Sequence, residues 1–207
     1  MKKNTKIIIV VIIAVVAVLN VALFLGAFGL LIWSSMTAEI EVYEDVSDYN
    51  RYMGENADEE YQNKWGMDET IFPQALTEDM NVLEYKMVYY NPWDAQYLSY
   101  LTVEYDEADY EQEMLRLSEY ESTEYEGYYG ATGFDANYEL AAMNADSYQG
   151  FVYALTDGED TITYVEIIFC NYFMDIAYEE YIPNEYLPIG FDATNGNPYE
   201  RMIREEE

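Results

Sequence analysis

The sequence predicts an α+β protein: a single N-terminal transmembrane helix, a short helical stalk, and an antiparallel-sheet domain of about five strands ordered β-β-α-β-β-β. Three observations carry that expectation. Residues 7–33 are apolar without one charge. Several later stretches alternate apolar and polar side chains at period two, the signature of half-buried strands. The connections between those stretches are mostly too short for parallel crossovers, which need a dozen residues or more.

The first element is the apolar run itself, IIIVVIIAVVAVLNVALFLGAFGLLIW, in which Asn20 is the only strongly polar side chain. As a helix it is about 40 Å long at 1.5 Å per residue, enough to cross a hydrocarbon layer of roughly 30 Å. Lipid offers no partner to a bare N–H or C=O, so a helix is required there. A cleavable signal has an apolar core of only about 7–15 residues and a small-residue cleavage site. The run is longer than that, and Ser34-Ser35-Met36-Thr37-Ala38 holds no A-x-A pattern, so an uncleaved signal anchor is expected. Lys2, Lys3 and Lys6 precede the run, whereas Glu39, Glu41, Glu44, Asp45 and Asp48 follow it. Basic residues stay on the cytoplasmic side, which places the N-terminus inside and the remainder in an extracytoplasmic location.

The chain then divides into a cytoplasmic basic tip (1–6), the anchor (7–33), a membrane-proximal stalk with short helices (34–76), an acidic, tyrosine-rich α+β domain (77–191) and a loose C-terminal tail (192–207). In the stalk, Ser47 is placed to cap a short helix ending at Gly54, and residues 58–65 form a second candidate ended by Gly66. Pro73 then stops the helical pattern.

Within the domain, Leu83, Tyr85, Met87 and Tyr89 recur at period two over residues 82–90, which predicts the first strand. Asn91-Pro92-Trp93-Asp94 is a turn, and residues 96–105 return as the second strand of a hairpin. Asp106 caps a helix whose Tyr110, Met114 and Leu117 share one stripe. Residues 121–133 carry three glycines and no period, so they read as a loop. Residues 138–143, 150–156 and 161–173 are three further strands, the last two joined by an Asp157-Gly158 turn. Hydrophobic side chains occupy both alternating faces from Val165 onward, which assigns the last strand to the middle of the sheet.

Composition constrains partners more than activity. The chain has 41 acidic and nine basic residues, no histidine and one cysteine, for a net charge of −32. All the acids follow residue 33, together with all 24 tyrosines. Disordered acidic chains are poor in aromatics, so this portion is expected to fold. Nucleic acid is a poor partner for such a charge, while cationic proteins, basic peptides and divalent cations are compatible with it. The bilayer, through residues 7–33, is the remaining expected partner. No cofactor or metal signature is present, and the lack of histidine removes most acid–base and metal-site chemistry. Cys170 has no cysteine to pair with and reads as a buried thiol.

Candidate binding residues are Trp93 and Asp94 in the hairpin turn, and Tyr125, Tyr128 and Tyr129 in the glycine-rich loop. The loop is either an exposed recognition surface or a cover over the sheet. Glu166 shares a strand face with Ile162, Tyr164, Ile168 and Cys170. It is either a buried acid with a raised pKa or a partly exposed glutamate bonded to a tyrosine hydroxyl. Asp157-Gly158-Glu159-Asp160 holds fragments of a calcium loop without its full pattern. No residue is singled out as catalytic. The expected role is a membrane-anchored binding or envelope-assembly module without enzymatic activity. A carboxylate-dependent hydrolase acting on envelope carbohydrate and a divalent-cation-responsive surface domain are the alternatives.

Overall fold

A computed structural model describes residues 3–54, 56–77 and 80–206; Met1 and Lys2 of the basic tip lie outside the described residues. The chain separates into two units, 1–39 and 40–207. The first is helix α1, Lys3–Met36, whose stretch Val15–Trp33 is long and apolar enough to cross a membrane.

The second unit is built on one six-stranded sheet. Its elements are β1 (Glu41–Tyr43), α2 (Tyr49–Tyr52), β2 (Asn81–Tyr90), β3 (Gln96–Glu104), α3 (Glu107–Ser118), β4 (Glu139–Asp146), β5 (Gly150–Thr156), β6 (Thr161–Ile168) and α4 (Pro198–Glu206). The strand order is β1-β2-β3-β6-β5-β4, and every neighbouring pair is antiparallel. The α+β class is therefore as expected, with β1 as a sixth strand. At three residues, β1 is too short for a two-residue alternation to register in sequence.

Both faces of the sheet are covered, which explains why apolar side chains occupy both faces of β5 and β6. One face carries Ile162, Tyr164 and Ile168 of β6 with Val152 and Ala154 of β5, beneath Tyr49, Tyr52, Tyr61, Phe72 and α3. The other carries Val165 and Ile167 with Phe151, Tyr153 and Leu155, beneath Tyr129, Tyr178, Phe191 and Tyr199. Each face is closed mainly by irregular chain, studded with aromatic rings in tilted and edge-on contact. Tyr52–Tyr61 at 4.8 Å and Tyr129–Phe169 at 5.2 Å are examples, the geometry aromatic quadrupoles favour.

Two segments differ from expectation. Residues 40–76, expected as a stalk, belong to the folded unit and bury Tyr49, Tyr52, Met53, Tyr61, Ile71 and Phe72. Tyr49 and Tyr52 share a face of the one-turn helix α2, but short 3-10 turns and extended chain carry the others, which follow no helical or strand period. The segment is fastened by Arg116 of α3, which donates to Thr70 O at 2.6 Å and Ile71 O at 2.7 Å. Residues 192–207, expected to be loose, form a bridge at Thr194 with Met174 and end in α4. Ala193 and Tyr199 are buried, and Asn197 Oδ1 caps the helix by accepting from the Glu200 N–H at 2.8 Å.

The last strand is also shorter than expected, ending at Ile168. Cys170 and Phe173 then form a bridge across Asn171 and Tyr172, both in the left-handed region at φ 62° and 70°. Helix α3 follows expectation closely: Asp106 accepts from the Asp109 N–H at 2.9 Å, and Leu117 is buried with Tyr110 and Met114 against the same layer.

Candidate functional site

The turn between β2 and β3 places Trp93 at 60% exposure. It faces a recess of about 360 Å³ lined by residues 62–65 on one side and by Asn91, Trp93, Asp94, Ala95 and Tyr97 on the other. Trp65, the second exposed indole at 37%, belongs to that lining. Its Nε1–H donates to Ala95 O at 2.7 Å, which ties the 62–66 turn to the hairpin. Asn63 and Trp65 hold φ of 54° and 56°, a left-handed backbone that costs a non-glycine residue on the order of 1 kcal/mol or more. Aligned local contacts hold that strained turn in place and set both of its side chains at the recess.

The wall of amides has defined hydrogen-bond roles. Gln62 donates its Nε2–H to Ala57 O at 2.7 Å, and Asn91 donates its Nδ2–H to Tyr89 Oη at 3.0 Å. Their carbonyl oxygens remain as acceptors. Asp94 accepts from Asn171 Nδ2 at 3.2 Å; it also borders a second recess of about 270 Å³ with Trp93, Gln96, Cys170, Asn171, Phe173 and Asp175. Burial pushes the Cys170 thiol up to about 12, with Asp94 adding to the effect. That sulfur is therefore a protonated, poorly nucleophilic thiol at neutral pH.

Lys64 runs from the recess into the core. Its ammonium lies 2.9 and 3.1 Å from the two carboxylate oxygens of Glu166, 2.5 Å from Glu69 Oε1 and 5.4 Å from the Tyr97 ring centre. The Glu166 contact is a well-formed hydrogen-bonded pair. Glu69 Oε1 approaches the same ammonium without an aligned hydrogen bond. Burial opposes the charge on Lys64, but Glu166 and Glu69 together outweigh it and hold the ammonium above its ordinary pKa. Burial pushes the Glu69 carboxyl up to about 8; Lys64 opposes this shift and Glu166 reinforces it.

Glu166 is thus fully buried, but its partner is a lysine 102 residues away rather than a tyrosine. The cation was missed in sequence because Lys64 sits in a polar stretch, QNKWG, that reads as surface. Of the tyrosine loop, Tyr129 is buried with its hydroxyl donating to Ser147 O at 2.8 Å. Tyr125 and Tyr128 are half-buried against Phe134 and Tyr199. The loop covers the second face of the sheet and is not brought together with Trp93 and Asp94. In the Asp157–Asp160 turn, Asp157 Oδ1 accepts from the N–H groups of Glu159 and Thr161 at 2.9 and 3.1 Å. Among the described residues, no group of three or more Cys, Asp or Glu side chains is arranged to hold an ion.

The fold and the recess define an α+β protein with a membrane-length N-terminal helix and an open, tryptophan-rimmed recess at one hairpin turn. Comparison with family models, with curated proteins and with solved structures finds no match.

Proposed function

We propose that this chain is a single-pass membrane protein, N-terminus in the cytoplasm, whose second unit is an extracytoplasmic, non-enzymatic binding module of the cell envelope. The recess beneath Trp65 and Trp93 is its contact site. One observation carries the reading: both tryptophans outside the anchor line the same recess and remain substantially exposed. Tryptophan is highly buried on average, and exposed aromatics at a concave site are the usual anchors of recognition. The lining includes only one carboxylate, Asp94, so the two-carboxylate chemistry of a hydrolase is not assembled in it.

The experiment is a photo-crosslinking residue in place of Trp93 in intact cells, with Ile189 as the control. Ile189 is similarly exposed, at 54%, but lies outside the recess. A discrete adduct from position 93 and none from 189 is the expected result. Equal yields from both positions reject the site. A tag after Glu207 that stays hidden from membrane-impermeant reagents on intact cells rejects the orientation.

A further inference from the structure

We infer that the recess under Trp65 and Trp93 is a subsite for an uncharged glycan, whose ring faces stack on the two indoles and whose hydroxyls hydrogen-bond to the surrounding amides and to Asp94. This inference rests on the proposed binding role and names its ligand class. It follows from matching the chemistry of the lining to what each kind of ligand would need.

The lining is uncharged over most of its area and offers both donors and acceptors. Gln62 and Asn91 already use amide N–H groups within the protein, and the Trp65 indole N–H is held by Ala95 O. What remains is a second amide N–H and the carbonyl oxygen on each of Gln62 and Asn91, the Asn63 amide, the Trp93 indole N–H and the carboxylate of Asp94. Such a mixed set suits an uncharged ligand whose groups both donate and accept, as each hydroxyl of a saccharide does. Its ring also presents an apolar C–H face, complementary to the negative face of an indole. The volume of about 360 Å³ lies near the lower limit for small-molecule sites, which fits a short segment of a glycan rather than a whole polymer.

Other ligand classes meet specific obstacles. A phosphate or carboxylate would need a cation, and charge-assisted pairs are the strong ones. The only cation in the lining, Lys64, is buried and shared between Glu166 and Glu69. The chain's net charge of −32 opposes any polyanion further. An extended peptide is best bound by strand addition at a free sheet edge. Here the flanking strands are interior: β2 lies between β1 and β3, and β3 lies between β2 and β6. Strand β1 pairs with residues 87–89, immediately before the turn, so the backbone of β2 is occupied where a peptide would dock. Two other recesses at the surface are lined largely by acids, Asp58, Glu59 and Glu60 in one and Glu107, Glu111, Glu159 and Asp160 in the other. They lack tryptophan.

The test uses the full chain in lipid nanodiscs, free of sugar-based detergent. The probes are neutral tetrasaccharides of N-acetylglucosamine, glucose, xylose and mannose, with heparin as the polyanion. Indole fluorescence and ligand-observed NMR report binding. At least one neutral tetrasaccharide should bind saturably. That affinity should fall at least tenfold in Trp93→Ala and in Trp65→Phe, while Ile189→Ala leaves it unchanged and circular dichroism stays native in all three. Binding that survives Trp93→Ala overturns the inference, as does heparin binding more tightly than every neutral probe. If no neutral probe binds but position 93 still crosslinks to a protein in cells, the glycan assignment fails and the binding role stands. If neither occurs, both fail.

Discussion

Lys64 is the residue on which the second unit's interior most depends. Its ammonium joins Glu166, on the central strand β6, to Glu69, in the segment between the N-terminal helix and β2. Removing one member of a buried ion pair strands the other charge, at a cost of about 3–5 kcal/mol. Lys64→Ala should therefore lower the unfolding free energy by about that much, measured by urea denaturation. A loss below about 1 kcal/mol would mean that Glu166 is either hydrated or neutral when alone.

Glu69 sets a pH dependence of its own. Burial holds its carboxyl at about 8, against an ordinary value of 4.5. Between those values the folded state keeps a proton that the unfolded chain has released. The unfolded state binds fewer protons there, so this group's contribution to stability is complete below about pH 4.5 and is lost as pH rises through about 8. Glu69→Gln keeps a neutral amide in place and should flatten the slope relative to the parent. Denaturation midpoints of both chains across that pH range provide the check. Identical slopes would show that Glu69 titrates normally in the fold.

At the scale of elements, the hairpins explain why so much of the sheet was visible in sequence. Strands β2, β3 and β5 match their expected spans closely because a register shift by one residue would turn their apolar side chains to the wrong face. Glycine marks one place where that register is locked. Gly150 opens β5 at φ +107°, and an added Cβ would lie 2.1 Å from Ile167 O on the neighbouring strand. Gly150→Ala should cost more than about 1 kcal/mol and lower the melting temperature. An unchanged melting temperature would mean that the β5–β6 pairing can shift without loss.

The segments that escaped expectation have a different physics. Residues 56–72 and 174–191 bury their aromatics through 3-10 turns and extended chain, where no repeat relates one buried position to the next. Arg116 shows how they are held: a single guanidinium forks onto two carbonyls of a segment 45 residues away. Such a bond leaves no local trace in sequence, since arginine on a helix reads as solvated surface.

For the whole molecule, charge is the dominant variable. A net charge of −32 on 207 residues is screened over about 8 Å at physiological salt but only over about 30 Å at 0.01 M. Self-repulsion disfavours the compact state, so the melting temperature should rise measurably from 10 mM to 150 mM monovalent salt. A flat response over that range would show that the acids are arranged to avoid one another.

The candidate site was half legible. Trp93 and Asp94 stood out because an exposed-looking indole in a tight turn has no packing reason to be there. Trp65, Asn63 and the buried cation did not, because their role arises from a turn folded against a hairpin some 30 residues later. The sequence alone settled the membrane-length apolar helix, the α+β class and most strand positions, all of which rest on local composition and period. Only the tertiary structure decided that the segment after the N-terminal helix is core rather than stalk. It also decided that the tyrosine loop is a cover and that Glu166 is half of a buried ion pair. These outcomes depend on contacts between residues far apart in the chain, whose energies come from burial and desolvation that no single stretch contains.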